Sequence, residues 1–266
     1  MTIGQADTPH VVSPNYSQWG QKGTLSTQAS SEFRDDKVRR QLSQAGIELS
    51  RFKLTNRARV QYYKGERLGE TPAILLRYEE SGESNKLGGK HISVVYDPTA
   101  EKILGLTVMQ PNKALKQISH QKALAVALRF LQCTADDLTD GDIELPDLIM
   151  LDSDVRMKFE PKVILSKHLR LDWIARHDET ISCDDETVTV SGMKVKTFNP
   201  KTELWTWIIV DDTGVVQTFE RDISWNMEKM MRETQMWLHD KWLEIHEINL
   251  SDAASPDASR SNAPTP

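Results

Sequence analysis

The sequence predicts an α+β fold with two helix-plus-antiparallel-sheet repeats and a long C-terminal amphipathic helix packed on the sheet. First, one pattern of helix, strands and hairpin occurs twice within the 266 residues. Second, the two hairpins, His91–Val108 and Glu203–Arg221, carry an Asp and a Thr at equivalent turn positions. Third, a stripe of Met and Trp with helical spacing runs from about Trp225 to Ile245. An internal repeat of this kind decides how the whole fold is interpreted.

Both predicted hairpin turns contain residues that favour a tight reversal of the chain. Aligning Asp97 with Asp211 also aligns Thr99 with Thr213, and Gly214 follows the second threonine. An Asp side chain accepts hydrogen bonds from turn amides, and Gly tolerates positive φ. Apolar runs flank both turns, so we expect an antiparallel strand pair at each.

The first repeat is expected to open with a helix over Glu32–Ala45, and Gly46 follows it as a stop signal. The second opens with Gln121–Gln132, which Ser119 is placed to cap. Composition then divides the chain into two polar tails and two repeats. The predicted boundaries are a flexible tail over 1–31, a first repeat over 32–111, a second repeat with the C-terminal helix over 112–250, and a flexible tail over 251–266.

Charge and cysteine content limit the function classes. The net charge of -6 and the pI near 5.7 argue against a nucleic-acid or membrane-surface partner, which usually needs a basic face. Cys133 and Cys183 are too few for a disulfide framework. The N-terminal residues lack the basic start and apolar stretch of a secretion signal. We therefore expect a cytoplasmic protein without a membrane segment.

Common catalytic and metal-binding motifs are missing from the sequence. It contains no P-loop, no dinucleotide-binding glycine motif, no G-x-S-x-G and no H-E-x-x-H. The seven histidines have no close ligand spacing, and neither cysteine has a neighbour that would activate its thiolate. We predict no cofactor and no metal, and the catalytic residues, if there are any, stay unknown.

The aromatic residues suggest where a site could lie. Six of the seven Trp residues occur in the C-terminal 100 residues, next to a Met-rich segment. Large aromatic side chains and adaptable Met residues can line a pocket for a flat or apolar ligand. The simpler interpretation is that they form the sheet–helix core of the second repeat. If a cavity lies between them, the candidate ligand-binding residues are Trp173, His177, Trp205, Trp207, Arg232, Trp237 and His239.

A helix followed by strands and a hairpin with an Asp-x-Thr-Gly turn resembles PepSY-like modules, including the tandem YcdB/YcdC-type repeat proteins. The matching residues are Asp97, Thr99, Ser119, Ala123, Ala127, Asp211, Thr213 and Gly214. The first turn departs from the family pattern at Ala100, where the family tends to carry Gly. The resemblance implies a non-catalytic binding or inhibitory module. PepSY-like modules are usually outside the cytoplasm, which conflicts with the expected compartment.

Three hypotheses for function follow. The first is a non-catalytic binding or inhibitory module of PepSY-like type that recognises a protein partner. The second is an enzyme or small-molecule-binding protein that uses a Trp/Met-lined pocket for an apolar or aromatic ligand. The third is a structural or assembly protein. Similar repeats also make a homodimer through a sheet edge plausible.

Overall fold

The fold is known from a computed structural model that describes residues 16–29, 33–80, 87–111, 116–140, 156–183, 186–248 and 250. Within these residues the protein is mainly β-structure. The three α-helices found there are α1 (Asp36–Gln44), α2 (His120–Thr134) and α3 (Asp240–Ile245). The strands are β1 (Thr24–Ala29), β2 (Phe52–Tyr63), β3 (Glu70–Glu80), β4 (His91–Asp97), β5 (Lys102–Met109), β6 (Met157–Ile164), β7 (Arg170–Cys183), β8 (Glu186–Asn199), β9 (Leu204–Asp211), β10 (Val216–Ile223), β11 (Trp225–Asn226) and β12 (Met231–Arg232).

Ten strands form one antiparallel sheet in the order β1-β2-β3-β4-β5-β10-β9-β8-β7-β6. The strands β1 to β5 thus follow one another from one edge of the sheet to its centre. The strands β6 to β10 follow one another from the other edge back to the centre. The strands β5 and β10 meet there, with Phe219 opposite Leu106. The remaining pair, β11 and β12, forms a separate short ribbon.

Both predicted hairpins are confirmed, as β4–β5 and β9–β10. At the first tip, Asp97 Oδ1 accepts hydrogen bonds from the amides of Thr99 and Ala100 at 2.9 and 3.0 Å. At the second tip, Asp211 Oδ1 accepts from the amide of Thr213 at 2.9 Å. Gly214 closes this turn with a φ of +90°, a conformation that side chains with a Cβ rarely adopt. The two turns therefore use the same Asp-to-Thr contact.

Helices α1 and α2 cover one face of the sheet. Ser119 caps α2 by accepting a hydrogen bond from the Lys122 amide. Ala123 and Ala127 are fully buried, so their small side chains let α2 lie close to the strands. The resulting core spans both halves of the sheet, and its largest fully buried aromatic side chains are Tyr78, Tyr96, Phe130 and Phe219.

On the opposite face of the sheet, strands β2 to β5 are covered by the C-terminal segment, which is the part of the chain after β10. Trp237, Leu238 and Leu243 pack here on apolar side chains of β2 to β5. Gly105 makes room for this segment, because a Cβ at that position would lie 2.7 Å from Leu238 Cδ1. The segment therefore forms a second apolar layer, which contributes stability through burial of large side chains.

The predicted long C-terminal helix is wrong. The segment instead forms the β11–β12 ribbon, an irregular stretch and the six-residue helix α3. Met227 and Met230, two residues of the Met and Trp stripe that predicted this helix, are 72 % and 62 % exposed. Arg232 is instead buried, because its guanidinium pairs with Glu220 on the sheet. This contact across the chain overrides the local helical spacing.

The predicted fold class is therefore also wrong. The described residues do not form an α+β protein made of two helix-plus-antiparallel-sheet repeats, but a largely β protein with one continuous sheet and few helices. The extra strands β6 and β1 extend the sheet at its two edges. Residues 16–29, within the predicted N-terminal tail, form a short 3-10 helix and β1. The tail over 251–266 lies outside the described residues. No helix in the described part of the chain is long and apolar enough to cross a membrane.

Candidate functional site: a tryptophan-lined cleft

A cleft of about 460 Å³ lies on the sheet face opposite α2. Its floor is formed by β5, β7, β8, β9 and β10, and its walls by the C-terminal segment and the N-terminal Trp19. Four Trp side chains line it together with two Met residues, one Ile and several charged groups. The lining residues are Trp19, Met109, His177, Asp178, Glu179, Lys194, Trp207, Ile209, Glu220, Trp225, Arg232, Met236, His239, Lys241 and Trp242.

The walls are tied together by contacts between distant parts of the chain. The rings of Trp19 and Trp225 meet edge to face, with centroids 5.4 Å apart. The Trp242 indole donates a hydrogen bond to the Trp19 carbonyl at 2.8 Å. Aromatic contacts of this kind add to the energy of burial. They fix the N-terminal residues and the C-terminal segment as one wall of the cleft.

Glu220 is the centre of a buried polar network beside the cleft. It lies on β10 directly opposite Trp207 on β9. Its Oε2 accepts a hydrogen bond from Trp207 Nε1 at 2.8 Å, while Oε1 accepts from the Arg232 guanidinium. His239 Nε2 lies 3.0 Å from the same Oε1. The carboxylate is 4 % exposed and has three partners, as a buried charge requires.

The partners of Glu220 decide its charge. Burial alone would raise the pKa of the Glu220 carboxyl, but the charges and hydrogen bonds of Arg232 and His239 hold the pKa well below its usual range. Arg232 is also fully engaged, because Nε donates to the Thr234 carbonyl at 3.1 Å and Nη2 donates to the Gln235 carbonyl. Glu220 and Arg232 therefore hold the cleft wall in place and have little capacity left for a ligand.

Lys194 differs from the other charged residues of the cleft. Its Nζ lies 4.0 Å from the centroid of the Trp207 ring. Within the described residues, Lys194 makes neither a hydrogen bond nor an ion pair. Burial lowers the pKa of the Lys194 ammonium to about 8, against the opposing effect of the Glu220 and Glu179 carboxylates. The cleft thus contains a half-buried ammonium that lacks a carboxylate partner.

Of the seven candidate residues named from the sequence, four line the cleft. They are His177, Trp207, Arg232 and His239. They come from β7, β9, β12 and the turn before α3, so the sheet and the C-terminal segment together bring them to one place. The other three candidates, Trp173, Trp205 and Trp237, do not line it.

Trp173 and Trp205 lie on the same sheet face as the cleft, but nearer the β6 edge. The Nζ of Lys196 lies 3.8 Å from the centroid of the Trp205 ring and 5.5 Å from that of Trp173. Lys162 also lies over Trp205, at 4.8 Å. Such cation–π contacts stabilise a half-buried sheet surface. These two Trp rings pack against basic side chains outside the cleft.

Trp237 belongs to the apolar layer that the C-terminal segment forms on the sheet. Its ring packs against Tyr62, with centroids 6.4 Å apart at 66°. The cavity next to these two residues is only about 10 Å³, room for about one water molecule. Between the sheet and the C-terminal segment there is thus a filled core at Trp237 and an open cleft at Trp207.

Three residues of the cleft were not predicted from the sequence, namely Lys194, Glu220 and Trp19. A signal for Lys194 exists, because Met193, Lys194 and Val195 alternate in polarity along a strand. That alternation places Lys194 on the face opposite the core. Glu220 and Trp19 had no comparable local signal, because each reaches the cleft through contacts with distant segments.

The described residues contain no group of three or more His, Cys, Asp or Glu side chains that could hold a metal ion. Cys133 carries a free thiol, whose Sγ lies 3.8 Å from the Gln44 carbonyl on the α1 side of the sheet. It is therefore separate from the cleft.

Comparisons with known proteins complete the description of the site. No protein-family model matches this chain, and no curated protein or solved structure matches it either. The resemblance to PepSY-like modules therefore stays a prediction.

Proposed function

We propose that this protein binds a small organic molecule in the cleft beside Trp207. The molecule would have a flat apolar body and one polar, oxygen-bearing group. The observation that carries this proposal is a cleft of about 460 Å³, lined by four Trp side chains, with an ammonium group that forms no ion pair with any described residue. Ligand pockets typically measure about 300–1,000 Å³, with mostly apolar walls and a few polar groups.

The charges of the cleft indicate how such a ligand would be oriented. Glu220 and Arg232 are already paired, so neither is available without breaking a buried contact. The Lys194 ammonium has only the Trp207 ring beneath it. A carboxylate, sulfonate or carbonyl oxygen of the ligand would therefore face Lys194, and its apolar body would lie along Trp207 and the opposite wall.

A fluorescence titration with 1-anilinonaphthalene-8-sulfonate tests this proposal, because this probe combines flat rings with an anionic group. Trp207→Ala is expected to weaken binding by about tenfold or more, as is typical of a central aromatic contact. Trp205→Ala is the matched control, since Trp205 lies on the same strand and face but outside the cleft. Equal affinity of the two variants would contradict the proposal.

Two other hypotheses from the sequence stay predictions. A protein partner of the kind implied by the PepSY-like resemblance would be retained in a pull-down with the full chain. A structural or assembly protein would self-associate, and a homodimer would give twice the monomer mass in light scattering. The cytoplasmic location also remains part of the proposal, because the free thiol of Cys133 suits a reducing compartment.

A further inference from the structure

Two lysines on β8 provide a comparison within one strand. Lys194 and Lys196 are two residues apart, so their side chains lie on the same face of the sheet. Each ammonium lies over a Trp ring, Lys194 at 4.0 Å from Trp207 and Lys196 at 3.8 Å from Trp205. The two positions therefore share their strand, their face and their aromatic contact.

The two lysines differ in their carboxylate partners and in their access to the cleft. Lys196 Nζ lies 3.8 Å from the Asp172 carboxylate, which offsets part of the lowering of its pKa by burial. Lys194 has no ion pair within the described residues, and it lines the cleft. A lysine without a carboxylate partner, in a half-buried pocket next to an aromatic wall, has the setting of an amine nucleophile.

The lowered pKa of Lys194 also favours a role as an amine nucleophile. Burial lowers the pKa of Lys194 to about 8, so at pH 8 this side chain is a neutral amine in about half of the molecules. An ordinary lysine with a pKa of about 10.4 is below about 1 % neutral at the same pH. The neutral form is the one with a free electron pair for bond formation.

We propose that the amine of Lys194 forms an imine with an aldehyde or ketone group of a ligand held in the cleft. This inference rests on the proposed function, because the cleft must first hold the ligand. The nitrogen attacks the carbonyl carbon, and a C–N single bond forms as the C–O double bond becomes single. Loss of the two nitrogen-bound hydrogens with the oxygen, as one water molecule, then gives the C=N bond. No oxidant or reductant is needed.

The surroundings of Lys194 suit this reaction. The Trp207 ring lies below the amine, so a carbonyl compound that reaches Lys194 would lie next to this indole. His239 lines the same cleft and is held by Glu220 through Nε2. Its Nδ1 has no hydrogen bond within the described part of the chain, so it is placed to exchange protons with water during the loss of the carbonyl oxygen.

The experiment is reductive trapping of the full chain with 2-naphthaldehyde and sodium cyanoborohydride at pH 7, followed by peptide mass spectrometry. The reductant turns a transient imine into a stable secondary amine. Modification of Lys194 is expected to be about tenfold faster than that of Lys196, because burial lowers the pKa of Lys194 further and no carboxylate of the described residues pairs with it. Lys194→Arg should abolish the fast modification, whereas the matched variant Lys196→Arg should leave it unchanged.

The outcomes separate this proposal from the proposed function. Equal labelling of Lys194 and Lys196, or fast labelling that persists in Lys194→Arg, would overturn imine formation at Lys194. If Lys194 is not labelled while 1-anilinonaphthalene-8-sulfonate still binds at one Trp207-dependent site, the imine is wrong and ligand binding stands. If that probe also fails to bind, both proposals are wrong. Circular dichroism of each variant verifies that it is folded.

Discussion

Trp207 and Glu220 lie directly opposite each other on β9 and β10, and the indole Nε1 donates to the carboxylate at 2.8 Å. This pair joins the wall of the cleft to the buried charge network, since the same carboxylate also binds Arg232 and His239. The shape of the ligand site and the stability of the fold therefore depend on one buried residue.

The first prediction concerns Glu220→Gln. The substitution removes the charge that compensates Arg232, which is 4 % exposed and cannot reach solvent without local rearrangement. Breaking a buried ion pair from one side costs about 3–5 kcal/mol. We expect the free energy of unfolding, measured in urea, to fall by about this amount. The double variant Glu220→Gln with Arg232→Met should recover part of it, and a single variant as stable as the native chain would contradict this account.

The ion pair of Glu220 and Arg232 should also make the stability of the fold depend on pH. The pKa of Glu220 is depressed in the folded state, so its contribution is complete above the unfolded value of about 4.3 and is lost as the pH falls towards the folded value. The stability difference between the native chain and Glu220→Gln should therefore be constant from pH 7 to 5 and shrink below about pH 4.3. Urea unfolding at several pH values measures it. A difference that grows on acidification would disagree with the assigned charge.

A second pH effect is expected from His91. Burial lowers the pKa of this imidazole to about 4, and the carboxylate of Asp240, which lies 3.3 Å away, opposes that effect only in part. Between pH 6.5 and pH 4 the unfolded chain binds a proton that the folded His91 does not. As the pH falls through this window, the free energy of unfolding should therefore decrease by up to about 1.4 kcal/mol per pH unit. The variant His91→Asn should lack this slope, and an unchanged slope would show that another group causes it.

The hairpin tips offer a test of turn chemistry. Asp211 Oδ1 accepts hydrogen bonds from the amides of Thr213 and Val215, both at 2.9 Å, and from the Thr213 hydroxyl at 2.6 Å. Asp211→Ala leaves these donors without their partner and should cost about 1–3 kcal/mol in urea unfolding. Asp211→Asn keeps an acceptor oxygen and should cost less. If the two variants lose the same stability, the hydrogen bonds at this tip are not what stabilises the turn.

The hairpins could be predicted from the sequence because their signals are local. Alternating apolar residues and an Asp–Thr turn lie within about twenty residues of each other, as in His91–Val108. The C-terminal segment could not be predicted in this way. Its Met and Trp spacing fits a helix, but Arg232 finds its partner on β10 and Trp242 finds its partner in the N-terminal residues. Those contacts determine the backbone path.

The candidate site could be predicted only in part, because contacts between distant segments also form it. Trp207 and Arg232 stand out as large or charged residues in an aromatic-rich region, and both do line the cleft. Trp205 looks equivalent in the sequence, and its ring also lies beneath a lysine, but it does not line the cleft. Which Trp lines the cleft depends on the C-terminal segment, which packs on strands β2 to β5 and forms a wall of the cleft beside β7 to β10. That coverage is a tertiary property.

The most direct test of the cleft as a ligand site is isothermal titration calorimetry. In it, 1-anilinonaphthalene-8-sulfonate is titrated into the full chain and into two variants. Met109→Trp places an indole into the cleft, whereas Ile164→Trp places one on β6, where Ile164 is 70 % exposed and outside the cleft. We expect one saturable site in the native chain, a loss of affinity of about tenfold or more in Met109→Trp, and native affinity in Ile164→Trp. Absence of a saturable site, or equal affinity in both variants, would contradict the assignment of the cleft as the binding site.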